Sequence, residues 1–118
     1  MAAQNILATN SNAYTIPLIP QNQEFDISLN GVTYHLRVKW NSFSAAWILY
    51  IEDSQRNPIL SGLPLVTGCD LLEQFEYLGF GGAMVVQSTT DPDLVPNYAS
   101  LGSTGNLFFI IPAATAVN

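Results

Sequence analysis

The sequence predicts an all-β domain, a small barrel or sandwich of about six to seven mostly antiparallel strands with one short helix. Three observations carry this. Short apolar runs, several with a polar residue at every second position, recur along the chain and are closed by Gly, Pro or Asn. Asn30-Gly31, the preferred pair for a type I′ turn, sits between two long alternating runs. Helical spacing of apolar residues occurs in one place, Leu71, Leu72, Phe75 and Leu78.

The elements follow in chain order. Residues 1–22 are rich in Asn, Gln, Ala and Thr and contain Pro17 and Pro20. They read as an N-terminal arm with one extended piece over 14–19, whose prolines suit an edge strand or none. The β-domain is expected over 23–111, and 112–118 reads as a small, uncharged C-terminal tail. Phe25, Ile27 and Leu29 alternate with Glu24, Asp26 and Ser28. Beyond the turn Val32, Tyr34, Leu36, Val38 and Trp40 alternate with Thr33, His35, Arg37 and Lys39. A two-residue turn pairs Leu29 with Val32, which sets Phe25 opposite Leu36 and Ile27 opposite Tyr34. The other face then sets Glu24 opposite Arg37 and Asp26 opposite His35, pairings worth a few tenths to ~1 kcal/mol each. Turn chemistry, apolar pattern and charge pattern select one register.

A third strand follows, with Ala46, Ile48 and Tyr50 alternating with Trp47, Leu49 and Ile51. Both its faces are apolar, so it is expected to be central and covered on both sides. Residues 52–57 are a polar turn; 58–60 start a short strand that Gly62 and Pro64 break, and 65–67 add a few extended residues. Asp70, with Glu73 three residues on, reads as the N-cap of the helix, and Gly79 as its stop. Residues 82–88 and 107–111 are the last two strands, joined by a long loop holding Pro92 and Pro96.

Composition narrows the function. A chain of 118 residues suits one domain. Charged residues make up 10%, far below the usual quarter, so much of the surface must be amide, hydroxyl and apolar. Three basic against nine acidic residues give a net charge of −6, which excludes phosphate-neutralising contact with nucleic acid and polybasic contact with a membrane. The apolar run 107–111 stops at Pro112, and no stretch approaches the ~18 apolar residues of a membrane span. The N-terminus lacks the basic-then-apolar order of a secretory signal. One cysteine and one histidine make neither an internal disulfide nor a zinc site. A reducing compartment, no metal and no cofactor are therefore expected.

Candidate chemistry is sparse. His35 opposite Asp26 has the parts of an oriented base, but the spacing supplies no nucleophile, and it reads as a cross-strand contact. Cys69 beside Asp70 reads as a small packing thiol. The acidic residues Glu52, Asp53, Asp70, Glu73, Glu76, Asp91 and Asp93 lie in turns, on the helix or in a loop, not as a pair across a cleft. Asp91-Pro92-Asp93 lacks the further ligands of a calcium loop. Gly79-Phe80-Gly81-Gly82 feeds a strand, whereas a phosphate cradle needs a helix after it. Trp40 and Trp47 have strand phase toward a core rather than toward a sugar. No catalytic residue is assigned.

Several segments, taken in order, resemble the small plug proteins of phage contractile-tail baseplates, of the cyanophage type. They are Asn30-Gly31-Val32-Thr33-Tyr34-His35-Leu36-Arg37 with Trp40-Asn41; residues 47–53 with Asn57-Pro58-Ile59-Leu60; Gly62-Leu63-Pro64-Leu65-Val66-Thr67-Gly68 with Asp70-Leu71-Leu72; and Tyr77-Leu78-Gly79 with Gly81-Gly82. The resemblance runs from about residue 24 to 109. It implies a structural virion protein, without catalytic motif, that helps close the tail lumen at the baseplate hub before contraction. It implies hub, tail tube and spike proteins as partners, several copies in a symmetric assembly, and assembly in the host cytoplasm. Rival readings are another tail adaptor (tube-end or spike-adjacent), a small peptidoglycan hydrolase and a ligand-binding β-domain.

So few charges cannot build many salt bridges, so partner contacts are expected through uncharged surface. The candidates are Tyr14, Ile16 and Leu18 in the arm, Leu94, Tyr98 and Leu101 in the long loop, and the tail over 112–118. On this reading removal of residues 1–20 leaves the domain folded.

Overall fold

A computed structural model describes residues 11–89 and 94–112. Within them seven strands run β1 (Ser11–Ile16), β2 (Gln23–Leu29), β3 (Val32–Asn41), β4 (Ala46–Asp53), β5 (Pro58–Pro64), β6 (Ala83–Ser88) and β7 (Gly105–Pro112). They form two antiparallel sheets, β2-β3-β4-β5 and β1-β7-β6. The sheets make an open sandwich rather than a closed barrel.

The β2–β3 hairpin has the register the sequence selects, with Leu29 on Val32, Ile27 on Tyr34, Phe25 on Leu36, Asp26 on His35 and Glu24 on Arg37. Asn30 at φ 54° and Gly31 at φ 84° give the two left-handed residues a type I′ turn requires. Leu29, Tyr34, Leu36 and Val38 are buried, and Phe25 and Ile27 pack against the same core.

β4 is an interior strand, as its pattern predicts, but its two faces differ. Trp47, Leu49 and Ile51 are fully buried, whereas Ala46, Ile48 and Tyr50 are only partly covered. β5 continues through Gly62 to Pro64 because the pairing to β4 slips register there and Gly62 takes φ 79°. An edge strand tolerates both the irregularity and the terminal proline. Leu65 then donates its N–H to the Trp47 carbonyl at 2.9 Å, extending the ladder past Pro64.

The expected helix is instead two short 3₁₀ turns over Glu73–Leu78, separated by a kink at Phe75 (φ −120°) and ended by Gly79 in the left-handed region. Asp70 does not cap it. Its Oδ1 accepts N–H bonds from Leu72 (2.9 Å) and Met84 (3.0 Å), tying the segment to β6. One carboxylate oxygen thus serves two backbone donors, a tighter use than a helix cap.

The reading of residues 1–22 as an arm differs from the structure over Ser11–Ile16, which is an edge strand on β7. Ile16 lies opposite Leu107 with 2% exposure, and Leu18 is buried beyond it. A side chain on Gly102 would run into the Leu18 carbonyl, so the loop after residue 94 closes tightly over this segment. Removal of residues 1–20 therefore strips buried apolar surface from the core. Residues 113–118 of the proposed tail lie outside the described residues.

Candidate functional site

The structure divides the six candidate contact residues. Ile16, Leu18 and Leu101 belong to the core. Tyr14, Leu94 and Tyr98 are exposed, at 52%, 44% and 52%. Strand phase alone does not divide them: Ile16 opposite Leu107 is buried, whereas Tyr14, on the same side of β1 opposite Phe109, stays exposed, and Leu101 enters the core from the loop.

Tyr98 belongs to an aromatic group at the end of the four-stranded sheet. Trp40 and Trp47 are a cross-strand pair with ring centroids 5.2 Å apart. Tyr98 stacks on Trp47 at 5.5 Å and meets Trp40 edge-on at 5.4 Å. The Trp47 indole Nε1–H donates to the Asn97 carbonyl at 2.9 Å, satisfying the polar atom of a buried ring. The loop is thereby anchored and the outer side of Tyr98 presented. Beyond the tryptophans, the β3–β4 turn holds Phe43 fully exposed. Asn41 Oδ1 accepts N–H bonds from Phe43 (2.9 Å) and Ser44 (3.1 Å), which fixes that turn. Sequence reasoning missed Phe43; its signal was an aromatic residue between two serines in a turn.

The second feature is the outer face of β1-β7-β6. These strands contain no charged residue. Phe108 lies between Thr15 and Val85, and Ile110 between Ala13 and Ala83, so these six side chains share a face. Val85, Phe108, Ile110 and Ala83 are half-buried, and Ala13 and Thr15 exposed.

The outer face of the four-stranded sheet is built from charge instead. His35 is 3% exposed. Its Nδ1 lies 2.8 Å from Asp26 Oδ1 and its Nε2 2.8 Å from Glu24 Oε1. Arg37 pairs with Glu52 at 3.1 Å and lies over the Tyr50 ring. Arg56 reaches Glu24 at 3.7 Å. Burial pulls the His35 ring toward neutrality, but the bonds to Asp26 and Glu24 outweigh it and raise its pKa. The bond from His35 lowers the Glu24 pKa. Asp53 is also lowered, by N–H bonds from Asn57 and Gln55 that close the β4–β5 turn. Cys69 is a free, exposed thiol rather than a buried one. Among the described residues no three His, Cys, Asp or Glu side chains gather in a way that could hold a metal.

The surface thus offers an anchored aromatic end, an uncharged sheet face, and charges that pair with one another. A family model described as cyanophage baseplate Pam3 plug gp18 matches residues 13–112. The chain belongs to this baseplate plug family. It is accordingly a structural component of a phage tail baseplate, associated there with other baseplate proteins. The match begins inside β1 and ends with β7, so it takes in both sheets. No curated protein matches the chain. No helix among the described residues is long and apolar enough to cross a membrane.

Proposed function

We propose that this plug-family chain closes the tail lumen at the baseplate hub before contraction, by occlusion and contact rather than catalysis. The observation that carries the reading is the family match across both sheets. The surface supports it. A plug must be soluble alone and buried once assembled, and uncharged faces are the cheapest to desolvate. Contacts to hub, tube and spike proteins run through Phe108 and Ile110 on the uncharged sheet face, through Tyr14 and Leu94, and through Tyr98 and Phe43 at the end of the four-stranded sheet. Several copies take part in a symmetric assembly formed in the host cytoplasm.

The test is a pair of particle reconstructions, one with the chain and one from phage unable to make it. The expected difference is missing density on the tail axis at the hub. Missing density at the tube end or beside the spike would instead assign an adaptor role and overturn the occlusion reading.

A further inference from the structure

We propose that His35 is held as an imidazolium, and that this buried cation is a clasp fixing edge strand β2 to the sheet, released as pH rises. The argument begins with hydrogen-bond inventory. A carboxylate only accepts, and a neutral imidazole carries one N–H. Both ring nitrogens of His35 nevertheless lie 2.8 Å from carboxylate oxygens. Both contacts are hydrogen bonds only if both nitrogens are protonated, or if one carboxyl is. The Glu24 and Asp26 side chains are 57% and 64% exposed, so water reaches both, and the bond from His35 holds the Glu24 carboxyl below its ordinary value. The ring is 3% exposed, and among the described residues these two carboxylates are the hydrogen-bond partners of its nitrogens.

The surrounding charges agree. Glu24 and Asp26 approach from β2, Glu52 stands opposite His35 on β4, Arg37 follows on β3, and Arg56 comes from the β4–β5 turn. Three carboxylates against two guanidinium groups leave the cluster one negative charge in excess, and an imidazolium cancels it. β2 has β3 as its one neighbouring strand among the described residues. Both carboxylates that grip the ring belong to β2, so the proton on His35 acts on the attachment of that strand. Deprotonation removes one bond and turns a bare nitrogen lone pair toward a carboxylate in a buried site.

The sign of the pH dependence follows. The His35 pKa is raised on folding, so its contribution is complete below the ordinary histidine value and fades as pH climbs through the raised one. The Glu24 pKa is lowered, so its contribution is present above the ordinary carboxylate value and fades as pH falls through the lowered one. The clasp is therefore strongest in the mildly acidic range.

Nitrogen NMR of the ring in the full chain tests the protonation state. Two protonated nitrogens are expected at about pH 7, near which an ordinary histidine is largely neutral; one bare nitrogen overturns the proposal. Denaturation from about pH 6 to about pH 9, spanning the ordinary histidine value, tests the clasp. The wild type should lose stability across the range, with β2 amides exchanging faster relative to those of β4, while His35→Gln stays flat. Parallel profiles overturn the clasp. Should His35→Gln fail to fold, Glu24→Gln serves, since it removes one exposed carboxylate and should move the loss to lower pH; an unmoved profile also overturns it.

Discussion

Around His35 the four-stranded sheet turns Glu24, Asp26, Arg37 and Glu52 outward, while the three-stranded sheet turns Thr15, Val85, Phe108 and Ile110 outward. Inside, the two are alike: Leu36, Val38, Trp47, Leu49 and Ile51 of one pack with Ile16, Met84, Val86, Leu107 and Phe109 of the other in a single core. The difference is whether the outer residues find partners within the chain. Glutamate and arginine across neighbouring strands neutralise each other, so that face is largely complete as it stands. Phenylalanine and isoleucine on an outer face have nothing of the kind, and gain only when another surface excludes water from them. The face contacts proposed above therefore fall on the uncharged sheet.

The largest effects should separate the two sides of the uncharged sheet. Phe109→Ala empties a fully buried position and should cost about 3–5 kcal/mol in chemical denaturation. Its neighbour Phe108→Thr should cost within about 1 kcal/mol, since a half-exposed threonine still suits a strand, yet it should impair incorporation into tails. Equal losses of stability at both positions would break the comparison.

Ile16→Ala comes next, at about 2–5 kcal/mol. Removal of residues 1–20 should likewise lower the melting temperature. An unchanged melting temperature would show β1 to be an appendage and confine the core to the remaining strands.

Gly31→Val sharpens the account of the charged sheet. A Cβ at Gly31 meets nothing within 4 Å, so the cost comes from the left-handed backbone alone. About 1–2 kcal/mol is expected from thermal or denaturant unfolding. Arg37→Ala should be smallest, about 0.5–1 kcal/mol and weaker in high salt, because the Arg37–Glu52 pair is only partly buried. A larger, salt-insensitive loss would mean that the charged face is as much a core as the inner one.

The sequence legibly encodes the hairpin, because an Asn-Gly turn and two alternating strands leave one register that buries one face. It also encodes the neighbour relation of β3 and β4, consecutive strands joined by a short turn. Other features escaped it for identifiable reasons. The apolar stripe through Leu71, Leu72, Phe75 and Leu78 fits a helix, but Asp70 bonds to Met84 across the fold and the segment tightens to 3₁₀ turns. Alternation placed Asp26 beside His35; the second carboxylate, Glu24, is two residues away on the same face and reaches the ring only through its longer side chain. Tyr98 and Phe43 sit in loops, where no periodicity reports what a side chain touches.

By itself the sequence determined the class of the domain, strands β2, β3, β4, β6 and β7, the β2–β3 register and the scarcity of charge, because each depends on residues close together in the chain or on composition alone. Only the tertiary structure decided that β1 lies beside β7, that β7 sits between β1 and β6, and that all the charged strands gather in one sheet. Pairing between distant strands is settled by which edges and apolar faces fit when the core closes, and no local pattern in β1 names its partner at the other end of the chain.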